Sequence, residues 1–236
     1  MKSVRKRAKA LSKGREGRLV IPLAFEVAAQ ISARPLDEFR SDPTQLTNGL
    51  VELHKAIESD GIVCALAAEM ELLSSRDKQL DLEYIRNHGP VSASLEACKR
   101  LRQTFGDQVA LLVATTGPQL LAKQFNVSDT DCGTFFSQLI KLFCEAGVDV
   151  LMVIEAENFV QTSTWIESVT TARNIASFHQ VSLLSWSESI LTSPLKLSLD
   201  SPSLSGSGFI TTDCIIPVNE TIGALSSFVM GCRGVD

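Results

Sequence analysis

Seven short apolar runs punctuate the chain: Leu19–Phe25, Ile62–Leu66, Val109–Ala114, Val148–Ile154, Val181–Leu184, Leu195–Leu199 and Phe209–Ile210. Polar or acidic residues follow each of them. In order these are Glu26; Glu69 and Glu71; Thr115 and Thr116; Glu155 and Glu157; Ser185, Ser187 and Glu188; Asp200; and Asp213 with Cys214. The unbroken run Val109–Ala114 is typical of a strand buried on both faces.

Between the runs the period changes from continuous to helical. Asp42 is an N-cap residue, Pro43 suits the first helical position, and Gln45 completes a capping box. Leu46, Leu50, Leu53 and Ile57 then form one stripe that ends at Asp60-Gly61. A second stripe, Leu95, Cys98, Leu101 and Phe105, closes at Gly106. A third helix, Asp131–Glu145, carries Phe135, Phe136, Leu139, Ile140 and Phe143 and stops at Gly147. Thr164 and Glu167 read as another capping box, opening a helix with Ile166, Val169, Ala172 and Ala176 inward. The last helix is expected from near Asn219, with Ile222, Leu225 and Val229 inward.

Strands alternating with helices over short connections predict a parallel sheet. Seven strands and a uniform composition predict an α/β fold, a (β/α)8 TIM-type barrel. It is expected to form one domain over residues 1–236, shortened or irregular in the 189–207 region. That region is rich in Ser, Leu and Pro and too short for two full helix–strand units. Every strand would then deliver its C-terminal end to one face, where barrels of this type carry chemistry.

Composition narrows the partners. A net charge of −5 argues against general nucleic-acid binding, which needs an excess of Lys and Arg. The first 18 residues carry +7, leaving −12 for the rest. This basic N-terminal helix or arm reads either as a contact for an anionic partner or as a solvated helix. No run approaches the roughly 18–20 apolar residues of a membrane span, and no apolar segment follows the basic start as in a secretory signal. The cysteines Cys64, Cys98, Cys132, Cys144, Cys214 and Cys232 form no CxxC, so reduced and mostly buried thiols in a cytoplasmic protein are expected. The glycine-rich phosphate loops GxGxxG and GxxxxGK[ST] are absent, as is GxSxG.

The strand ends supply the candidate chemistry. Glu26, Glu69, Glu155, Glu157, Glu188 and Asp213 would share one mouth, where crowded carboxylates raise one another's pKa. Glu69 and Glu155 are the candidate acid–base pair, and Glu26, Glu157 and Asp213 candidate substrate contacts. The opposing reading is that half of them point into solvent. Ser185 and Trp186 lie after the fifth strand, and the indole is either a stacking floor for a flat ligand or core packing. Gly117-Pro118 shapes the loop after the third strand and is expected to offer free amides to an anionic group. Cys214 is either a metal ligand or a buried strand-end thiol. His54 and His88 read as surface residues.

Several segments together resemble the uroporphyrinogen decarboxylase superfamily, which includes the tetrapyrrole decarboxylase and zinc-dependent corrinoid methyltransferases. They are Ile21-Pro22 through Ala28-Ala29; Asp42-Pro43 with Glu58-Ser59-Asp60-Gly61-Ile62-Val63; Gly117-Pro118 with Leu120-Leu121-Ala122; Glu145-Ala146-Gly147-Val148-Asp149-Val150; and Gly208-Phe209-Ile210 through Cys214 and Pro217 to Asn219. The resemblance implies a barrel acting on a methylated small molecule or a tetrapyrrole-type substrate, with zinc or a corrinoid as cofactor and a corrinoid protein as partner. It also carries departures. Val20–Ala29 lacks the decarboxylase's arginines, and its pyrrole-binding aspartate falls on Ala67, with Glu69 the nearest carboxylate. The methyltransferase His-x-Cys falls on Ser185-Trp186-Ser187, while Cys214 matches the distant cysteine. Glu155, Glu157 or Asp213 would have to replace the missing zinc ligands. Methyl transfer is the first function implied, tetrapyrrole decarboxylation the second, and ligand binding without catalysis the third.

Overall fold

The computed structural model describes residues 3–66, 70–200, 202, 208–217 and 219–233. The seven strands among them are β1 (Arg18–Val20), β2 (Gly61–Ala65), β3 (Ala110–Thr116), β4 (Val150–Ile154), β5 (Ser182–Ser185), β6 (Leu195–Leu197) and β7 (Gly208–Thr212). The helices before β3 are α1 (Val4–Leu11), α2 (Phe25–Ile31), α3 (Leu36–Ser41), α4 (Pro43–Ile57), α5 (Met70–Leu73), α6 (Leu82–Ile85) and α7 (Gly89–Phe105). After β3 come α8 (Pro118–Phe125), α9 (Asp129–Glu145), α10 (Ser163–Phe178) and α11 (Ile222–Arg233).

All strand pairs are parallel, in the orders β2-β3-β4-β5 and β1-β7-β6. Two seams join the sheets. At one, the Asp60 amide donates to Val20 O, while the Val20 amide donates to Asp60 Oδ2 at 2.9 Å. At the other, the Ser185 amide donates to Thr192 O, and Leu184 bridges to Thr192 in parallel. The strands therefore wrap into the expected α/β barrel, abbreviated between β5 and β7. No helix lies between β5 and β6 among the described residues. Residue 201 and residues 203–207 of the 189–207 region lie outside the described set.

Side-chain alternation separates wall from interior. Val20 and Ile210 pack on Phe228, Val229 and Cys232 of α11, so they face outward. Their neighbours Leu19, Phe209 and Thr211 face the interior, and so does Lys196, which pairs with Thr211. A Cβ on Gly61 would lie 2.9 Å from Ile21 Cδ1 and 2.6 Å from Ala110 O, so only glycine lets β2 approach β1 and β3 this closely.

The basic N-terminus is neither a free arm nor a solvated helix. Val4 and Ala8 are buried, and α1 closes the barrel's N-terminal end. Arg7 donates to Asp60 at 2.9 Å, and Arg233 meets the same oxygen at 3.1 Å. Arg5 donates to Asp149 Oδ1 at 3.0 Å, Arg102 pairs with Oδ2, and the Leu111 amide donates to that oxygen at 3.0 Å. The two aspartates sit at the entries to β2 and β4, so each ties the end of a strand to a helix.

Several boundaries differ from the sequence expectation. The run from Leu19 to Phe25 holds the last two residues of β1 and then the start of α2, because the chain turns at Pro22 and Ala24 into a helix whose Phe25, Val27, Ala28 and Ala29 are buried. Helix α10 is capped by Thr162, whose hydroxyl accepts from the Trp165 amide, and not by Thr164. That start turns Trp165 inward and leaves Ile166 on the surface. Helix α4 ends at Glu58 in the left-handed conformation, which frees Asp60 for the seam. Helix α11 starts at Ile222, which is exposed, while Leu225 and Val229 are buried as expected.

Candidate functional site

The C-terminal strand ends place the expected carboxylates in different surroundings. Glu155 follows β4 and is buried. It accepts from the amides of Gln119 at 3.1 Å and Leu120 at 2.9 Å, and from Trp165 Nε1 at 2.8 Å. It is the anion at the N-terminus of α8, a position the helix dipole favours. The expectation of open amides after Gly117-Pro118 is therefore corrected, since the protein's own Glu155 fills them. Burial pushes the Glu155 carboxyl above the usual range, opposed by these three donors.

Glu26 lies in the first turn of α2 beside a small cavity that it shares with Leu66, Met70 and Arg40. Glu157, Glu188 and Asp213 are exposed. Glu69 lies outside the described residues, as does Ala67. Among the described residues, no three His, Cys, Asp or Glu side chains come close enough to hold one metal ion. The described carboxylates do not form the shared ring expected from their order along the chain.

The same region holds two residues that were not among the candidate acid–base or substrate-contact residues. Glu71, in α5, is fully buried. It accepts from the Thr116 amide at 3.2 Å and pairs with the Thr116 hydroxyl at 2.6 Å. Burial raises its pKa, with the Thr116 contacts opposing the shift. Lys196 is the second. Its ammonium sits 4.1 Å from the centroid of the Trp186 ring, a cation–π contact, and it makes no ion pair among the described residues. Beside it on the same rung, the Thr211 hydroxyl is buried with no hydrogen-bond partner. The lysine had a visible signal, since it is the only charge inside the run Leu195–Leu199. A charge at an inward position of a short strand needs a reason.

Ser185 is buried and its hydroxyl has no partner. It alternates with Trp186 along β5 and faces the helical layer, as do Thr115 and Val153 in register with it. Cys214 is exposed and not a buried strand-end thiol, the correction following from the turn that carries it past β7. Its pKa is raised by partial burial and then by Asp213. The other five thiols are buried and free. His88 is exposed, whereas His54 is half-buried edge-on against Phe105, and burial pushes its imidazole pKa down.

These donors do not fit a zinc ion. Ser185 and Ser187 stand where the resemblance places His and Cys, and Cys214 keeps a high thiol pKa where a zinc ligand needs a thiolate. His179 caps the far end of α10, at the opposite end of the barrel.

No family model matches the sequence, and no curated protein matches it. Among solved structures, the chain is similar to a methyltransferase from Methanosarcina mazei. The TM-score is 0.59 at 14% identity, over 78% of this chain and 69% of that one. It is more loosely similar to a tryptophan synthase α subunit from Legionella pneumophila str. Paris, with TM-score 0.42, 8% identity and 100% of both chains covered. A protein from Aquifex aeolicus VF5 matches with TM-score 0.39 at 12% identity over 99% and 98%. The first likeness agrees with the parallel α/β barrel traced above. Among the described residues, no helix is long and apolar enough to cross a membrane.

Proposed function

We propose that this chain is a methyltransferase-like enzyme of the uroporphyrinogen decarboxylase superfamily, working in the cytoplasm at the C-terminal face of a single-domain barrel. Its substrate is a corrinoid, delivered by a corrinoid protein, or a methylated small molecule; nucleic acid and membrane are not partners. The observation that carries the reading is the Trp186–Lys196 pair at the mouth, with the buried acid Glu71 on the same face, in a barrel whose fold resembles a methyltransferase. In this reading Trp186 packs against the flat part of the substrate. Lys196, with no carboxylate partner among the described residues, neutralises an anionic group on it. Glu71, held by Thr116 and with its pKa raised by burial, is the acid placed to exchange a proton with the reacting group. Glu155 acts at a distance by fixing the Gly117-Pro118 turn and α8. Glu26, Glu157, Asp213 and Cys214 follow the strand ends around this site and are the candidate substrate contacts. No step is assigned to zinc.

The test is incubation of the purified protein with methylcobalamin and a small thiol, followed by the visible absorbance of the cobalamin. Demethylation faster than in buffer, lost in Lys196→Met and Trp186→Leu variants that keep their circular dichroism, supports the reading. A rate equal to the buffer rate overturns it. A second reading has its own observation, since an unpaired lysine at the mouth also suits a polycarboxylated tetrapyrrole. Conversion of uroporphyrinogen to products with fewer carboxyl groups would replace methyl transfer with decarboxylation. Saturable corrinoid binding without turnover would leave a ligand-binding barrel.

A further inference from the structure

Strand β6 begins only at Leu195, level with Ile210 in the middle of β7. Ahead of it, the chain touches β5 only at the upper rung where Leu184 meets Thr192. Beneath that contact no described strand completes the barrel wall, and among the described residues no helix covers it between β5 and β6. The gap opens as a side cleft of about 560 Å³, within the range of small-molecule sites.

Its lining has two parts. Leu183, Leu184, Ile190, Leu195 and Phe209 supply apolar surface, and Ile190 and Leu195 are exposed for want of a covering helix. Arg15, from the loop after α1, and Arg173, from α10, lie at the rim. Both arginines are exposed, and neither guanidinium has an ion pair or hydrogen bond among the described residues. That sets them apart from Arg5, Arg7 and Arg102, which are all spent on aspartates. Ser182, on the inward face of β5, also lines the cleft. It is 94% buried, from a relative exposure of 6%, and its hydroxyl has no partner. No acidic residue is among the described lining residues, although the chain is acidic overall. The cleft is thus an apolar slot with two uncompensated cations at its edge and an unused hydroxyl in its wall.

We propose that this side cleft binds an anionic amphiphile. A carboxylate or phosphate head group engages Arg15 and Arg173, an aliphatic body lies along Leu183, Leu195 and Phe209, and a ligand oxygen accepts from Ser182. The site lies on the barrel's flank, toward its N-terminal end, and does not depend on the chemistry assigned to the mouth.

Calorimetric titration of the full chain at low salt tests this with octanoate, octyl phosphate, 1-octanol and inorganic phosphate. The expected result is saturable 1:1 binding of octanoate or octyl phosphate, at least ten-fold tighter than 1-octanol or inorganic phosphate. The tighter of the two anionic probes identifies the head group. The double variant Arg15→Gln/Arg173→Gln, both surface changes, should weaken binding at least ten-fold without altering Tm, and Ser182→Ala several-fold. Equal binding of 1-octanol, equal binding of inorganic phosphate, unchanged affinity in the double variant, or no saturable binding of either anionic probe would each overturn the proposal.

Discussion

Glu71 shows how burial disfavours the ionised form of a side chain. Its carboxyl is fully buried, its polar contacts come from Thr116 and its own backbone amide, and desolvation outweighs them, so its folded pKa lies above the unfolded one. The sign follows from linkage. A raised folded pKa gives stability that is fully present below the ordinary carboxylate range and is lost as pH rises through the folded value. Glu71→Gln keeps the shape, accepts from the Thr116 amide and donates to its hydroxyl, but never ionises. The variant should match the wild type near pH 4 and overtake it as pH rises toward 8, measured as the difference in Tm. A Tm difference that is flat across this range would show that Glu71 does not resist ionisation. Gly117 is constrained in the opposite way, by space. A Cβ there would overlap the Glu155 carboxyl group and lie 2.7 Å from its Cγ. Gly117→Ala must displace a carboxylate held by three donors, and a loss of about 1–3 kcal/mol is expected in urea denaturation.

At the scale of elements, α8 depends on an anion from another part of the chain. Its first residues include Pro118, which has no amide hydrogen to satisfy, and its next two amides both donate to Glu155. Glu155→Ala would leave those amides and the Trp165 indole unpaired in a buried setting. A cost of roughly 2–4 kcal/mol is expected from the lost charge-assisted bonds. Hydrogen exchange should then rise across 118–125 before it rises elsewhere. Protection there unchanged from the wild type would mean that α8 holds itself. This contact also marks where the sequence stops being readable. The central strands were legible because a parallel sheet buries both faces, so β2, β3 and β4 show as apolar runs, whereas β6, with Lys196 inside it, does not. The long helices were legible from stripes such as Leu46, Leu50, Leu53 and Ile57, all of which are buried. The short helices α2 and α3 were not, because Leu19–Phe25 stays apolar while the backbone turns from strand to helix. The destinations of the carboxylates were not legible either. A glutamate after a strand can face the mouth, cap a neighbouring helix or enter solvent, and spacing is the same in all three cases. Glu155 caps, Glu157 is solvated, and Lys196 faces inward unannounced except by its place in an apolar run.

For the whole molecule, the question is how a barrel missing outer helices between β5 and β6 stays closed. The seams between its two sheets carry few backbone hydrogen bonds, so closure rests on side chains at the N-terminal end. There Asp60 joins β1, α1 and α11 through the Val20 amide, Arg7 and Arg233. Asp149 joins β3, α1 and α7 through the Leu111 amide, Arg5 and Arg102. Both aspartates are nearly inaccessible, with side-chain exposures of 7% and 1%, while the arginines keep contact with water at 14–39%. This arrangement meets the condition under which a buried pair is tolerated, because every carboxylate oxygen has a donor. It also makes the loss of one partner costly. Asp149→Asn would leave Arg102 without a counter-charge at a closed end and Arg5 with only the more exposed Asp107 at 3.5 Å, and a penalty of about 3–5 kcal/mol is expected. For a chain of this size that corresponds to a drop in Tm on the order of 10 °C. Because the pairs are shielded, raising NaCl from 0.05 to 0.5 M should change the wild-type Tm far less than the substitution does, unlike a surface network that salt screens. If Asp149→Asn melts within 2 °C of the wild type, the aspartate clamps are not what closes the barrel, and the burden passes to the apolar packing of α11 on β1 and β7.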